Sequence, residues 1–457
     1  MSRFKSDWIT ALIAALLFTI FVQFLEFKGW FAGPEGMIRD SLLAGGSRNT
    51  ASHSPIVVVE IDDASYSSCF NSTSPLNPEV VCGLVGAVAA RRPTVIGVDI
   101  LTDAPHFIAQ YRAMAVEFSN SRPKIIWISG AEKWNFEGAP FYWWLFGGKD
   151  HLTVKPTRVL GYEPWELIDQ PKIAWSVPVF PPDNDAGLRR FLREVYLSAD
   201  PQTSVLRERR TSWARRVAEE YIKATTGNPP KDNDADEIFL SYHKDKPAEF
   251  KLSEIGSCAA PGTLVLDGAQ WQEFKKTAPG KIVLIGGTFG SARDFYSTPN
   301  GRIPGLLINA YAAQAELDGD FVLEAPRKLA AFLDFLLGYL IGAMVFKEQI
   351  WAWLRRRSFP MQIIVGLRKI PLLKWCIDSI LKTEVHSKIV VSLISLAAAG
   401  AILLLVFRLW GYLFSFTALE VGWVVDLLHE LWDWHVPPAV ASPAAGLAPP
   451  PPPASPQ

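Results

Sequence analysis

Three long apolar runs constrain this chain before any other feature does. Trp8–Leu25 (WITALIAALLFTIFVQFL) and Ile389–Phe407 carry no charged residue, and Leu329–Phe346 is interrupted only by Asp334. A bilayer core is crossed by about 20 apolar residues in helical conformation, so each run is expected to be a membrane helix. They also explain why 49% of the chain is hydrophobic and its mean hydropathy is positive, at +0.14. Arg3 and Lys5 precede the first run, and Arg355, Arg356, Arg357, Arg368, Lys369, Lys374, Lys382 and Lys388 lie between the second and third. Excess Lys and Arg marks cytoplasmic loops, which puts the N-terminus and this loop inside and the intervening segment outside. A cleavable leader is the competing reading of the first run, but FAG at 31–33 is a poor cleavage site after so long an apolar stretch.

The expected organisation is therefore an N-terminal anchor over 1–28, an outer domain over 29–326, a span over 327–346 and a basic cytoplasmic loop over 347–388. A span or helical hairpin over 389–432 and a Pro/Ala-rich tail over 433–457 complete it. The stretch after Arg408 is apolar but contains Glu420 and Asp426, so its topology stays open. The tail cannot bury a core and is expected to be extended or disordered. The loop stretch MQIIVGLRKIPLLKWCIDSIL suits a basic amphipathic helix on anionic lipid, or serves only to set topology. Asp334 either pairs within a helix bundle or reaches interfacial water.

The outer segment alternates between strand and helix signals. Ile56–Ile61 is a β-branched apolar run, Asn77 and Pro78 open a helix that stops by Pro93, and Thr94–Ile100 is a second buried strand. A strand–helix–strand unit of this kind places its strands parallel. Helical character over 105–120 leads to a third strand, Lys124–Ser129. DNDAGLRRFLREVYLS alternates as an antiparallel strand does, and Thr211–Thr225 reads as an amphipathic helix with a Thr or Ser cap. The fold class expected is α/β: a mixed, mainly parallel sheet with flanking helices in an extracytoplasmic domain, plus three or four transmembrane helices.

GKIVLIGGTFGSARDFYSTPNGRIPGLLINAYAAQAE, from Gly280 to Glu316, reads as strand, glycine-rich loop, turn and helix. It has neither the Gly-Lys-Ser/Thr of a phosphate loop nor Gly-x-Gly-x-x-Gly spacing. DNDADE at 232–237 lacks the glycine and terminal ligand of a calcium loop and reads as a solvated turn. The seven histidines are scattered, and neither a nucleophile elbow nor paired glutamates appear at recognisable spacing. No enzyme, metal site or cofactor is expected, and a net charge of -1 gives no reason to expect nucleic acid.

IVVVEIDDAS, RRPTVIGVDI, DNDAGLRRFLREVY and above all the Gly280–Glu316 stretch resemble the CHASE2 domain, an extracytoplasmic sensory module of bacterial transmembrane receptors. The resemblance covers about residues 35 to 320. It implies an N-terminal anchor in the bacterial inner membrane, an outer sensor domain and a following cluster of transmembrane helices. Members usually continue into a cyclase or kinase, which is not seen in these residues, so a separate output protein is expected to read the signal.

Ligands of open parallel sheets sit outside the carboxyl ends of the strands. Asp62 and Asp63 after the first strand, Asp99 and Asp103 after the second, and Asp294 in the late loop are the candidate ligand-binding residues, with Thr298 and Asn309 nearby. Each Asp taken alone suits a helix cap or turn, and Thr298 suits turn chemistry. Together they suit a polar or cationic small molecule. Cys69 and Cys82 flank a short turn and are the expected disulfide, leaving Cys258 free, with other pairings or reduced thiols open. The sequence thus points to a membrane-bound sensor of an unidentified small molecule, with homo-oligomerisation open. A structural or adaptor subunit is the alternative.

Overall fold

The computed structural model describes residues 2–28, 40, 43, 54–137, 140–141, 151–167, 171–180, 188–198, 208–228, 237–240, 247–260, 263–292, 294–319, 322–324, 328–336 and 412–413. The expected spans beyond residue 336, the basic loop, the tail and most of the DNDADE turn lie outside them, Tyr412 and Leu413 excepted. The chain divides into two units: residues 23–330 with 406–415, and residues 1–22 with 331–405 and 416–457.

Helix α1, Ser2–Phe27, coincides with the first apolar run. Side chains of residues 2–11 and 14 are outside the described set, and among the described residues no helix is long and apolar enough to cross a membrane. What α1 does display is two-sided. Ala15, Thr19, Val22 and Leu25 are buried, whereas Leu12, Ile13, Leu16, Leu17, Ile20, Phe21 and Phe24 form a stripe that is 40% to 62% exposed.

The larger unit is built on a six-stranded sheet in which every neighbouring pair is parallel. Its strands are β1 (Ile56–Ile61), β2 (Val95–Asp99), β3 (Lys124–Ile128), β6 (Ile173–Ser176), β11 (Ala248–Lys251) and β14 (Ile282–Gly287), in the order β11-β1-β14-β2-β3-β6. All of β1 is buried, Glu60 included, as its otherwise apolar sequence IVVVEI requires of a strand covered on both faces. Val57, Val59 and Ile61 enter one core; Ile56 and Val58 enter the other. Fully burying each such side chain contributes about 1.5–3 kcal/mol.

On the first face lie α2 (Asp63–Phe70), α3 (Pro78–Ala89), α4 (Ile108–Phe118), the short α6 (Leu252–Ile255) and α7 (Trp271–Thr277). The expected cap of α3 is present: Asn77 Oδ1 accepts from the Glu79 amide, with Pro78 in the first turn. On the second face lie α5 (Trp213–Thr226) and α8 (Gly305–Asp318). Trp213 is completely buried, and its indole N–H donates to Ile126 O at 3.2 Å, which fixes α5 to the sheet. The buried Arg193 guanidinium grips Glu316 in a two-pronged ion pair at 2.6 and 3.0 Å, fixing the far end of α8.

The alternating 190–197 stretch forms two short strands, β7 (Arg190–Leu192) and β8 (Glu194–Leu197). Each has an antiparallel partner: β10 (Glu237–Phe239) for β7 and β9 (Glu208–Thr211) for β8. The antiparallel character is thus confined to small sheets outside the parallel one. One of these is four-stranded, in the order β4-β5-β8-β9, with β4 at Ala131–Glu137 and β5 at His151–Pro156. Another pairs β12 (Ser257–Ala260) with β13 (Thr263–Val265).

The disulfide departs from the sequence expectation. Cys69 bonds Cys258, with Cα atoms 5.2 Å apart, rather than Cys82. Pairing of β1 with β11 brings the chain after β11 back beside α2, so Cys258 on β12 meets the end of that helix. The turn after Asn71 meanwhile sends α3 away, and the Cys82 thiol donates to Glu117 at 3.3 Å. Burial first, and then this carboxylate, push the Cys82 thiol up to about 12. Cys258→Ser is expected to lower stability by about 2–5 kcal/mol in chemical denaturation, with Cys82→Ser near neutral. The reverse pattern would show that the cross-link is elsewhere.

Candidate functional site

Strand order decides which acids meet. β14 lies between β1 and β2, so the loop that follows it emerges between Asp62 and Asp99. β2 leads to α4 on one face of the sheet, while its neighbour β14 leads to α8 on the other. Connections that diverge from adjacent parallel strands leave a crevice at their carboxyl ends. The sequence-predicted residues divide into two groups around it.

The first group is structural. Asp62 caps α2, accepting from Ser65 N and Oγ at 3.3 and 2.6 Å and from Ser253 N and Oγ at 3.3 and 2.6 Å. Burial alone would raise its pKa, but these Ser253 and Ser65 hydrogen bonds outweigh that and hold it below the usual range. Asp63 accepts from the Gly290 amide at 2.8 Å, tying the loop after β14 to α2. The same loop is pinned twice more. Phe289 stacks on Tyr66 with centroids 3.9 Å apart, and Thr288 Oγ1 donates to Glu60 Oε2 at 3.1 Å. Glu60, which sequence reasoning passed over, is raised by burial inside this joint.

The second group leaves one buried polar atom, Asn309 Oδ1, without a partner. Asp99 ends β2, Asp294 precedes β15 (Phe295–Thr298), and Asn309 lies in the second turn of α8. Asn309 is 2% exposed; its Nδ2 donates to Asp99 Oδ2 at 3.0 Å, and its Oδ1 has no hydrogen-bond partner. Tyr296, also not foreseen, donates to Asp294, and its own pKa is raised by burial and then by Asp294. Only its place two residues after Asp294 could have signalled it.

Two glycines make the approach of the acids feasible. A Cβ at Gly305 would lie 2.2 Å from Asp294 Oδ2, so the carboxylate rests against bare backbone at the start of α8. Opposite, Gly286 pairs with Asp99, and a Cβ there would come within 2.9 Å of the Asp99 Cβ. The Gly305 amide donates to Asp294 O at 2.9 Å and holds the register.

Asp99 and Asp294 both retain some exposed surface. Protein packed around Asp99 nevertheless raises its pKa, and Asp294 raises it further against the smaller opposing effect of Asn309, to about 7. Burial raises Asp294 as well. Among the described residues no Lys or Arg forms an ion pair with either acid, and Arg302 instead lies over the Phe295 ring at 5.3 Å.

The remaining predicted residues stand apart. Asp103 acts electrostatically on Tyr111, and Thr298 closes the turn to β16 (Gly301–Pro304), donating to Gly301 O at 2.6 Å and accepting from Asn300 N at 3.2 Å. Among the described residues no three His, Cys, Asp or Glu side chains are grouped to hold a metal.

A carboxyl whose pKa rises on folding keeps a proton that the unfolded chain releases. Stability is therefore expected to fall as pH climbs from 3.8 towards about 7, then level off with respect to this group. Asp99→Asn should flatten that slope and raise stability at pH 8 by about 1–3 kcal/mol, the partial exposure reducing the full linkage value. A pH profile of denaturation unchanged by the substitution would contradict this electrostatic description.

The family comparison extends beyond the outer domain. The model of the CHASE2 domain matches residues 9–345, which includes all of the larger unit's central sheet. No curated protein and no solved structure matches the chain. With most of its length covered, from the first apolar run through the Asp99–Asp294 crevice to the second, the chain belongs to the CHASE2 domain family, a family of sensory domains.

Proposed function

We propose that this chain is a membrane-anchored extracytoplasmic sensor that takes a small polar or cationic ligand at Asp99, Asp294 and Asn309 and relays its presence through α8. The observation that carries the reading is the acid pair against the start of α8, with which no Lys or Arg among the described residues forms an ion pair. α8 is the natural relay. Asn309 near its start bonds Asp99, and past Gly319 the chain continues towards the expected second span.

Three observations support the remaining parts. The exposed apolar stripe on α1 suits lipid better than water, because soluble monomers rarely expose such continuous apolar surface. The Cys69–Cys258 bond suits an oxidising compartment outside the cytoplasm. The basic loop over 347–388 suits the cytoplasmic side.

In mechanism, the ligand shifts a population between two placements of α8, and it must bind them unequally to shift anything. A separate output protein reads the change. The adaptor reading takes its support from Leu101, Val116 and Trp165, apolar side chains 49%, 67% and 47% exposed.

Two measurements test the proposal. Thermal denaturation of the full chain in lipid nanodiscs, screened against periplasmic metabolites and cell-envelope fragments, should reveal a compound that raises the midpoint. The rise should shrink in Asp294→Asn. A well-folded chain that responds to none of them, or responds equally in Asp294→Asn, would favour the adaptor. For orientation, an alkaline phosphatase fusion after Gly319 should be active and one after Lys388 inactive, with the opposite result overturning the outward placement.

A further inference from the structure

The Asp99–Asp294 crevice has the composition of a cation site, and this step rests on the sensor reading above. It brings together two carboxylates, Asp99 and Asp294, and the side-chain amide of Asn309. The amide is the decisive member. Its Nδ2 donates to Asp99 Oδ2, which holds the amide beside that acid, while its Oδ1 is buried without a hydrogen-bond donor. A buried carbonyl oxygen left without a partner costs about 1–3 kcal/mol, which a ligand that supplies positive charge or a donor recovers.

The charges point the same way. Asp294 repels Asp99 across the gap, and neither has a described basic partner. We infer that Asp99, Asp294 and the Asn309 amide oxygen bind a hard divalent cation, Ca²⁺ or Mg²⁺.

The charge of the ion matches the two carboxylates, and the all-oxygen donors exclude a preference for zinc or copper. Two carboxylates with one amide leave coordination positions for water, the arrangement Mg²⁺ in particular adopts. The partial exposure of Asp99, Asp294 and Tyr296 gives the ion a route in. An organic ammonium ligand is disfavoured by size: Asn309 is 2% exposed, and Gly305 sits against Asp294 with no room even for a methyl group.

Bound there, the ion draws Asp99, on the rigid sheet, and Asp294, which packs against Gly305 at the start of α8, towards one another. Its presence therefore alters the position of the relay helix.

The test is equilibrium dialysis of the full chain in nanodiscs, stripped with chelator, against radioactive Ca²⁺ and separately with Mg²⁺ as competitor. One saturable high-affinity site is expected, weakened at least about tenfold in Asp294→Asn, about 1.4 kcal/mol. Asn309→Asp, which keeps an oxygen at the orphan position, should bind at least as well as wild type, whereas Asn309→Leu should not. Competition by Mg²⁺ at similar concentration assigns the site to Mg²⁺; lack of competition assigns it to Ca²⁺.

No saturable binding by folded wild type, or binding unchanged in both Asp294→Asn and Asn309→Leu, overturns the inference. Failure here can be separated from failure of the sensor reading. A metabolite that stabilises the chelated wild type but not Asp294→Asn keeps the sensor and discards the ion, while absence of any ligand discards both.

Discussion

Insertion of β14 between β1 and β2 is the constraint from which the site follows. It sets the glycine-rich loop between the ends of two buried strands and directs the following helix to the opposite face from α4. Because the sheet is covered on both faces, polar chemistry is pushed to the strand ends, where backbone pairing stops and side chains meet loops. Had β14 paired at the edge, Asp294 would have been carried away from Asp99, and both acids would have been ordinary solvated turn residues.

The two acid groups show how similar residues acquire opposite roles. Asp62 accepts from backbone and serine donors of Ser65 and Ser253, and Asp63 accepts from the Gly290 amide, so both fasten loops. Asp99 and Asp294 meet fewer donors, face each other and lean on glycine backbone. Sites of this second kind are costly to keep ionised, and ionisable pairs shifted in that way cluster at functional positions. α8 connects the costly site to a firm one: Asn309 engages Asp99 near its beginning, and Glu316 is gripped by Arg193 near its end.

Much of this was legible in the residues. The mainly apolar, β-branched run of β1, the Asn77–Pro78 helix start and the helix after Pro304 follow from local patterns that tertiary packing reinforces. Asp99 and Asp294 stand out in the sequence as acids that follow strands and Asn309 as a helix-face residue, and the structure brings Asn309 onto Asp99. Strand order was not legible, since a parallel partner can be recruited from anywhere later in the chain: β14 arrives about 180 residues after β2. For the same reason the short spacing of Cys69 and Cys82 misled, and the true partner is 189 residues away. Glu60 carries no local signature of burial, because what buries it comes from other elements.

The central claim is that the Asp99–Asp294–Asn309 group controls α8. Amide hydrogen exchange of the full chain, compared with and without divalent cation, examines it most directly. The account predicts slower exchange over the first turns of α8, around residues 305–311, together with the 288–298 loop, and no such change in Asp294→Asn. Exchange that is unchanged across α8 while wild type binds the ion, or a change that persists in Asp294→Asn, would contradict it.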